Sequence, residues 1–153
     1  MKKPLSQHSD SAILLQLLAF TNKRVSGKLE DVYATIGLKK SSYEVLAALL
    51  NASPTYALTP NELLEITHIT SGTMTTRIDK LTKKGWVERL VNKKDKRSVR
   101  VSLTSTGKTL IEEAVQEHDK AVQKILSAWT EKDQQQLTRI LSKMNKQPHF
   151  RRV

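Results

Sequence analysis

The chain has 153 residues, 38% of them hydrophobic and 27% charged, which suffices for one domain with a proper core. Its 26 Lys and Arg against 15 Asp and Glu give a net charge of +11, which points to a polyanionic partner or an anionic surface. Cysteine is absent, so disulfides, thiolate zinc sites and cysteine redox sensing are excluded, and the composition fits a cytoplasmic protein.

Met1, Lys2 and Lys3 followed by an apolar run over 12–20 have the outline of a signal peptide. Asp10 precedes that run, Gln16 interrupts it and no small-x-small cleavage site follows. It is also too short to span a bilayer, so no membrane partner is expected. It reads as the start of an amphipathic helix over 11–34, with Ile13, Leu14, Leu17, Leu18, Val25, Leu29 and Val32 near helical spacing. Ser26 and Gly27 should loosen this helix, and Gly37 should end it. Ser41 with Glu44 forms a capping box for a second helix through Val45, Leu46, Leu49 and Leu50, closed by Asn51, Ala52, Ser53 and Pro54.

Thr59, Pro60 and Glu62 make a strong start signal: the threonine caps, proline suits the first helical position and the glutamate reaches back to the cap. The helix runs to about Thr67. A turn at His68, Ile69 and Thr70 leads into a further helix, the arrangement of a helix-turn-helix. On this helix Met74, Ile78 and Leu81 share one face and can pack against Leu63, Leu64 and Ile66. The opposite arc presents Gly72, Thr73, Thr76, Lys80 and Lys83, flanked by Thr75 and Arg77, with Asp79 at its margin. A merely solvated helix more often mixes Glu with Lys. Small hydroxyls and Arg near a helix N-terminus suit a groove and its phosphates.

Gly85 stops the helix, and residues 86–91 and 99–103 form a hairpin. Val99, Val101 and Leu103 point to one side of the second strand, and Arg100 and Ser102 to the other. The loop between them, Asn92, Lys93, Lys94, Asp95, Lys96, Arg97 and Ser98, contains no apolar residue. It reads either as a charge-solubilised tip or as a wing whose Arg97 enters a minor groove while Asp95 restrains the arginine or caps the loop. Residues 71–108 hold eleven Lys and Arg against three Asp and Glu, so about a quarter of the chain carries most of the excess charge. On charge alone a solvated face is an equal reading.

Thr104 caps a helix over 105–128 bearing Leu110, Ile111, Ala114, Val115, Val122, Ile125 and Leu126. Thr130 with Asp133 opens a last helix bearing Leu137, Ile140, Leu141 and Met144. The terminal helices carry more apolar stripe than a lone winged helix needs, which predicts contact with a second copy. The basic tail over 147–153 reads as frayed, and no internal repeat or low-complexity linker is present.

Enzyme readings fail on inventory. His8, His68, His118 and His149 are scattered, and no nucleophile elbow, His-x-x-x-His or phosphate-binding glycine loop occurs. Glu113, Glu117 and His118 come nearest to a metal site, but His118 does not share a face with Glu117, and a structural histidine is the preferred reading. No enzyme, cofactor or metal is therefore expected. Phe20, Arg24 and Tyr43 could line a cleft for an aromatic anion, with Arg24 as a bidentate carboxylate ligand. The competing readings are Tyr43 as core and Arg24 as a solvated helix end.

Lys84-Gly85-Trp86-Val87-Glu88-Arg89-Leu90, Asp95-Lys96-Arg97-Ser98-Val99, then Val101-Ser102-Leu103-Thr104 and Gly107 together resemble the MarR family of bacterial winged-helix transcription regulators. The run from Ser71 to Leu81 is similar to the branch containing urate-responsive and PecS-like members. The chain departs from the urate-responsive pattern in having no N-terminal tryptophan: its two are Trp86 and Trp129.

The resemblance implies a mainly α fold with a small β-hairpin wing (α+β), a winged helix-turn-helix with N- and C-terminal dimerisation helices. It implies one domain over 1–153, with a DNA-binding lobe at 42–104 and dimerisation helices at 9–36 and 105–147. A homodimer would straddle a pseudopalindromic operator in double-stranded DNA. Ser71, Gly72, Thr73, Thr75, Thr76, Arg77 and Lys80 would read the major groove. Lys93, Lys94, Asp95, Lys96 and Arg97 would form the wing, with Asp95 and Arg97 at the minor groove. A cleft between dimer body and lobe would take a phenolic, purine or other aromatic anionic effector. The expected function is sequence-specific repression released by such a compound. The alternative is a sequence-tolerant architectural DNA-binding protein without a ligand, using the same basic face.

Overall fold

A computed structural model of the chain describes residues 10–67, 69–91 and 99–147. Six helices and three strands follow in the order α1 (Asp10–Thr35), α2 (Lys40–Asn51), β1 (Ala57–Leu58), α3 (Pro60–Thr67), α4 (Ser71–Lys83), β2 (Val87–Val91), β3 (Val99–Leu103), α5 (Ser105–Leu126) and α6 (Glu131–Asn145). The expected mainly α fold with a hairpin is present, and contacts divide the chain into two compact units, residues 1–121 and 122–153.

In the first unit, α1 runs unbroken through Ser26 and Gly27. The expected loosening does not occur, because one glycine costs a helix only about 1 kcal/mol and a helix of this length has intact turns on both sides. Gly37 does stop it: with φ +73° it lets its own N–H donate to the Ala34 carbonyl and that of Leu38 to Tyr33. The expected capping box at Ser41 and Glu44 is not formed. Lys39 is the extended N-cap of α2 and its carbonyl accepts from the amides of Ser42 and Tyr43, which draws Ser41 into the first helical turn.

At α3 the reciprocal cap is present: the Thr59 backbone N–H donates to Glu62 Oε2 at 2.7 Å, and the Glu62 N–H donates to Thr59 Oγ1 at 3.2 Å. Leu63 is fully buried, and Met74, Ile78 and Leu81 of α4 join it in the core with Val45, Leu46 and Leu49 of α2. Ile66 departs from the expected packing, being 55% exposed. An eight-residue helix turns one narrow stripe to the core, and Leu63 with Leu64 already fills it.

The sheet has the order β1-β3-β2, antiparallel throughout. The hairpin was expected, with its first strand starting at Trp86 and not Val87. The third strand, β1, was not expected; it sets Ala57 opposite Ser102 and Leu58 opposite Val101. With a neighbour on each edge, β3 is central, so Ser102, assigned to an outward side, is only 7% exposed. Thr104 caps α5 as expected, accepting from the Gly107 N–H at 3.0 Å while its hydroxyl donates to the Gly85 carbonyl. Gly107 lies so close to the Trp86 carbonyl that a Cβ there would fall 1.8 Å from its oxygen.

Helix α5 ends at Leu126, two residues short of the expected end. In the second unit, α6 carries the expected capping box, Thr130 with Asp133, and has no buried residue. Among the described residues no helix is long and apolar enough to cross a membrane.

Candidate nucleic-acid interface

Helix α4 is fixed at both ends. Thr70 is its extended N-cap, with no side-chain hydrogen bond to the first-turn amides; its hydroxyl meets Thr73 Oγ1 at 2.9 Å. At the other end Gly85, with φ +71°, donates to the Thr82 carbonyl and Trp86 donates to Leu81, a paired C-terminal lock that feeds the chain into β2. Between these ends Met74, Ile78 and Leu81 pin the helix to the core, and Ser71, Gly72, Thr73, Thr75, Thr76 and Lys80 are exposed. The expected reading face is therefore the exposed face, with Arg77 half-buried on its flank.

The hydroxyls of this face are partly committed. Thr75 donates to the Ser71 carbonyl and Thr76 to the Gly72 carbonyl, both at 3.3 Å. That leaves their lone pairs to accept and their methyls to touch a base edge. Asp79, the only carboxylate of α4, is bonded by Arg89 of β2 at 2.5 Å. Both partners are about half exposed, so the pair adds little stability. Its consequence is electrostatic: the acid is neutralised and the face retains Arg77, Lys80 and Lys83 as unopposed cations.

Three other cations of the basic stretch are held within the protein, one of them Lys84, whose ammonium lies 4.3 Å from the centroid of the Trp86 ring. Arg100 donates to the Ala57 carbonyl, tying β3 to β1. Lys108 donates to the Tyr56 hydroxyl at 3.1 Å and sits over that ring; this hydrogen bond raises the Lys108 pKa, while that of Tyr56 is lowered first by a hydrogen bond with Ser53 and then by the one with Lys108. Lys93, Lys94, Asp95, Lys96 and Arg97, the expected wing, fall in residues 92–98, outside the described residues, as do His8, His68 and His149.

A pocket of about 460 Å³ lies where the start of α2 meets α4. Lys39, Ser41, Ser42 and Lys84 line it alongside Arg77, Lys80, Thr73 and Thr76. The first four were not among the expected site residues. The only sequence signal was a lysine and serine cluster at a helix start, and Ser41 had been read as a cap.

Phe20, Arg24 and Tyr43 are not drawn together within the chain. Arg24 lies over the Phe20 ring at 5.5 Å. Tyr43 stacks on Tyr33 at 4.3 Å and on His118 at 5.1 Å. Because Tyr33 lies nine residues after Arg24 on α1, the two groups are separated by roughly 14 Å along the helix axis. His118, weighed above as one corner of a metal site, shares a 2.8 Å hydrogen bond with the Tyr33 hydroxyl. Burial first, then nearby Tyr43 and Glu44, raises the Tyr33 pKa well above the ordinary phenol range, so the hydroxyl keeps its proton, and the tautomer of His118 sets which partner donates. A second pocket of about 550 Å³, bounded by Glu30, Lys40 and Glu44, includes none of the three residues expected to bind a ligand.

Comparison with known proteins agrees with this geometry. The MarR family profile matches residues 36–98. The transcriptional regulator PecS of Dickeya dadantii is 28% identical over 134 residues, covering 88% of this chain and 81% of the relative. The multiple antibiotic resistance protein MarR of Escherichia coli is 30% identical over 116 residues, covering 76% and 78%. The crystal structure of a mutant of E. coli MarR complexed with operator DNA superposes with a TM-score of 0.78 at 28% identity, over 91% of this chain and 99% of that one. Bordetella bronchiseptica BpsR, whose DNA binding is described as regulated by 6-hydroxynicotinic acid, shares the fold with a TM-score of 0.79 at 21% identity over 93% and 99%. With its helix-turn-helix, its three-stranded sheet and a relative matched at this identity and coverage, the chain belongs to the MarR family of transcriptional regulators.

Proposed function

We propose that this regulator is a homodimeric, sequence-specific repressor that binds a pseudopalindromic operator and releases it when a small anionic aromatic compound binds. The observation that carries the reading is the exposed face of α4, whose hydroxyls and cations stand free of the one carboxylate on that helix. Such a face supplies base-edge acceptors and phosphate ligands together. Ser71, Gly72, Thr73, Thr75, Thr76, Arg77 and Lys80 read the major groove. Lys93, Lys94, Lys96 and Arg97 follow the adjacent backbone and minor groove, with Asp95 restraining Arg97.

The dimer reading is supported by α1, on which Ile13, Leu14, Leu15, Leu17 and Phe20 are between 45% and 59% exposed. A second copy would cover a patch that water tolerates poorly. Two lobes on a two-fold axis would meet half-sites about 34 Å apart. An effector then needs only to prefer a lobe spacing that fails this match, and a differential affinity of about 1–3 kcal/mol gives a useful switch. The effector class rests on the family resemblance, with Phe20, Arg24 and Tyr43 as its ligands where α1 of a second copy completes the cleft. Phenolic and purine compounds should raise the melting temperature and release DNA; no effect of either kind would remove the effector from the proposal.

The deciding experiment is affinity at physiological salt for a duplex selected by the protein, compared with random duplex. Specific binding should exceed random by at least about 10³-fold. Equal affinities would instead establish the sequence-tolerant architectural reading. Arg97→Ala should cost roughly 1–3 kcal/mol of operator affinity, whereas unchanged affinity would remove the wing from the interface.

A further inference from the structure

Three of the five glycines have a reason within the chain. Gly37 and Gly85 take positive φ, and Gly107 lies against the Trp86 carbonyl. Gly27 and Gly72 have no such reason: both are helical, and a Cβ on either would meet nothing within 4 Å. An alanine would therefore serve either helix at least as well as glycine does. Both lie on helices that the proposed function sets against another molecule, α1 against a second copy and α4 against DNA.

The surroundings of Gly72 say what it admits. It lies one turn before Thr76 on the same exposed face of α4. Thr76 turns its hydroxyl back to the Gly72 carbonyl at 3.3 Å, and Thr75 turns its own to the Ser71 carbonyl at 3.3 Å. Thr73 is held by the Thr70 hydroxyl at 2.9 Å. The outward side chains of the first two turns are thus short and drawn onto their own helix, and Gly72 carries none. The longer cations, Arg77, Lys80 and Lys83, begin only at the middle of the helix. A surface of this shape lets another molecule come close to the backbone itself.

We infer that Gly72 is the clearance residue of the reading face: without a Cβ there, α4 lies deep enough in the major groove for the Thr76 methyl to meet the C5-methyl of a thymine. The inference rests on the DNA-binding reading above and deepens it by naming the base group that is read. The Thr76 proton is spent within the helix, so its hydroxyl can only accept, and its methyl is left as the apolar contact that separates thymine from cytosine. Random duplex, held through its phosphates by the cations, does not need this depth.

The test measures wild type, Gly72→Ala and Thr76→Ser on the selected duplex, on random duplex, and on the selected duplex with single thymine-to-uracil changes, each of which removes one C5-methyl. Gly72→Ala should hold or raise the melting temperature, lose at least about tenfold in affinity for the selected duplex and keep its affinity for random duplex. In the wild type one thymine per half-site should be sensitive, its uracil costing roughly three- to tenfold. Thr76→Ser, which keeps the hydroxyl and lacks the methyl, should be indifferent to that change. A lower melting temperature in Gly72→Ala would return the glycine to the fold and overturn its role in reading. Unchanged affinity for the selected duplex would overturn that role as well, and equal losses on both duplexes would make Gly72 a backbone contact instead. A wild type without any uracil-sensitive position would overturn the thymine contact. A wild type that does not distinguish the selected duplex from random overturns sequence-specific reading itself, a different failure from any of these.

Discussion

In α2, α3 and α4, Leu46, Leu49, Leu63, Met74 and Leu81 are at most 1% exposed, whereas the five large apolar side chains at the start of α1 are about half exposed and α6 buries nothing. All are comparable residues on amphipathic helices of one chain. The first group meets the sheet and other helices of its own lobe; the second meets solvent. An apolar stripe therefore says that a helix is to be covered, and the tertiary structure says by whom. The lobe is closed by local chain, so the exposed face of α4 keeps its shape without help. The start of α1 leaves an apolar surface that its own chain does not cover.

The contrast can be broken most severely in the lobe. Leu46→Ala should destabilise it by about 2–5 kcal/mol, since the side chain is fully buried and its neighbours cannot collapse completely. Leu14→Ala, at a position 57% exposed, should alter unfolding of the isolated chain by no more than about 0.5 kcal/mol. Equal losses in urea titrations at dilution would mean that α1 is covered within one chain. Gly107→Ala should come next, costing about 1–3 kcal/mol, because its Cβ would meet backbone that cannot rotate away. An unchanged midpoint would show that the start of α5 and the turn after α4 are free to separate.

At the terminal helices the expected effect is on mass, not folding. Leu14→Glu combined with Leu17→Glu should shift sedimentation from dimer to monomer while leaving the far-ultraviolet helical signal of the lobe unchanged. A dimer that survives both charges would place the interface elsewhere on the chain.

Local chemistry explains what could be read from the sequence. Thr59 with Glu62, Thr104, Thr130 with Asp133, and Gly37 and Gly85 all act within a few residues, so their spacing marks the helix ends directly. The inward positions of α4 follow in the same way from helical period. Ser41 with Glu44 had the right spacing and failed, because the turn after Gly37 had already supplied a start two residues earlier, at Lys39. Strand β1 is two residues without alternation, stabilised only by pairing with residues more than forty positions away. The α2–α4 pocket was hidden for the same reason: Lys39 and Arg77 are unremarkable alone, and meet only once the core has packed.

The smallest expected effect compares the two capping boxes, one in each unit. Glu62 is held below the usual carboxylate range, first by the Thr59 backbone N–H and then by its hydroxyl; Asp133 is held down first by the Thr130 hydroxyl and then by its backbone N–H. A carboxylate whose folded pKa is depressed stabilises the fold fully above its unfolded pKa, and that contribution fades as pH falls through the folded value. Thr130→Ala and Thr59→Ala should therefore each lower the melting temperature slightly at neutral pH, and the deficit should shrink below about pH 4 as the carboxylates protonate in wild type. If the unfolding of the two units can be resolved, Thr130→Ala should act on the terminal helix and Thr59→Ala on the lobe. A deficit that is constant from neutral to acid pH would show that the threonines act through packing and not through the carboxylates they hold.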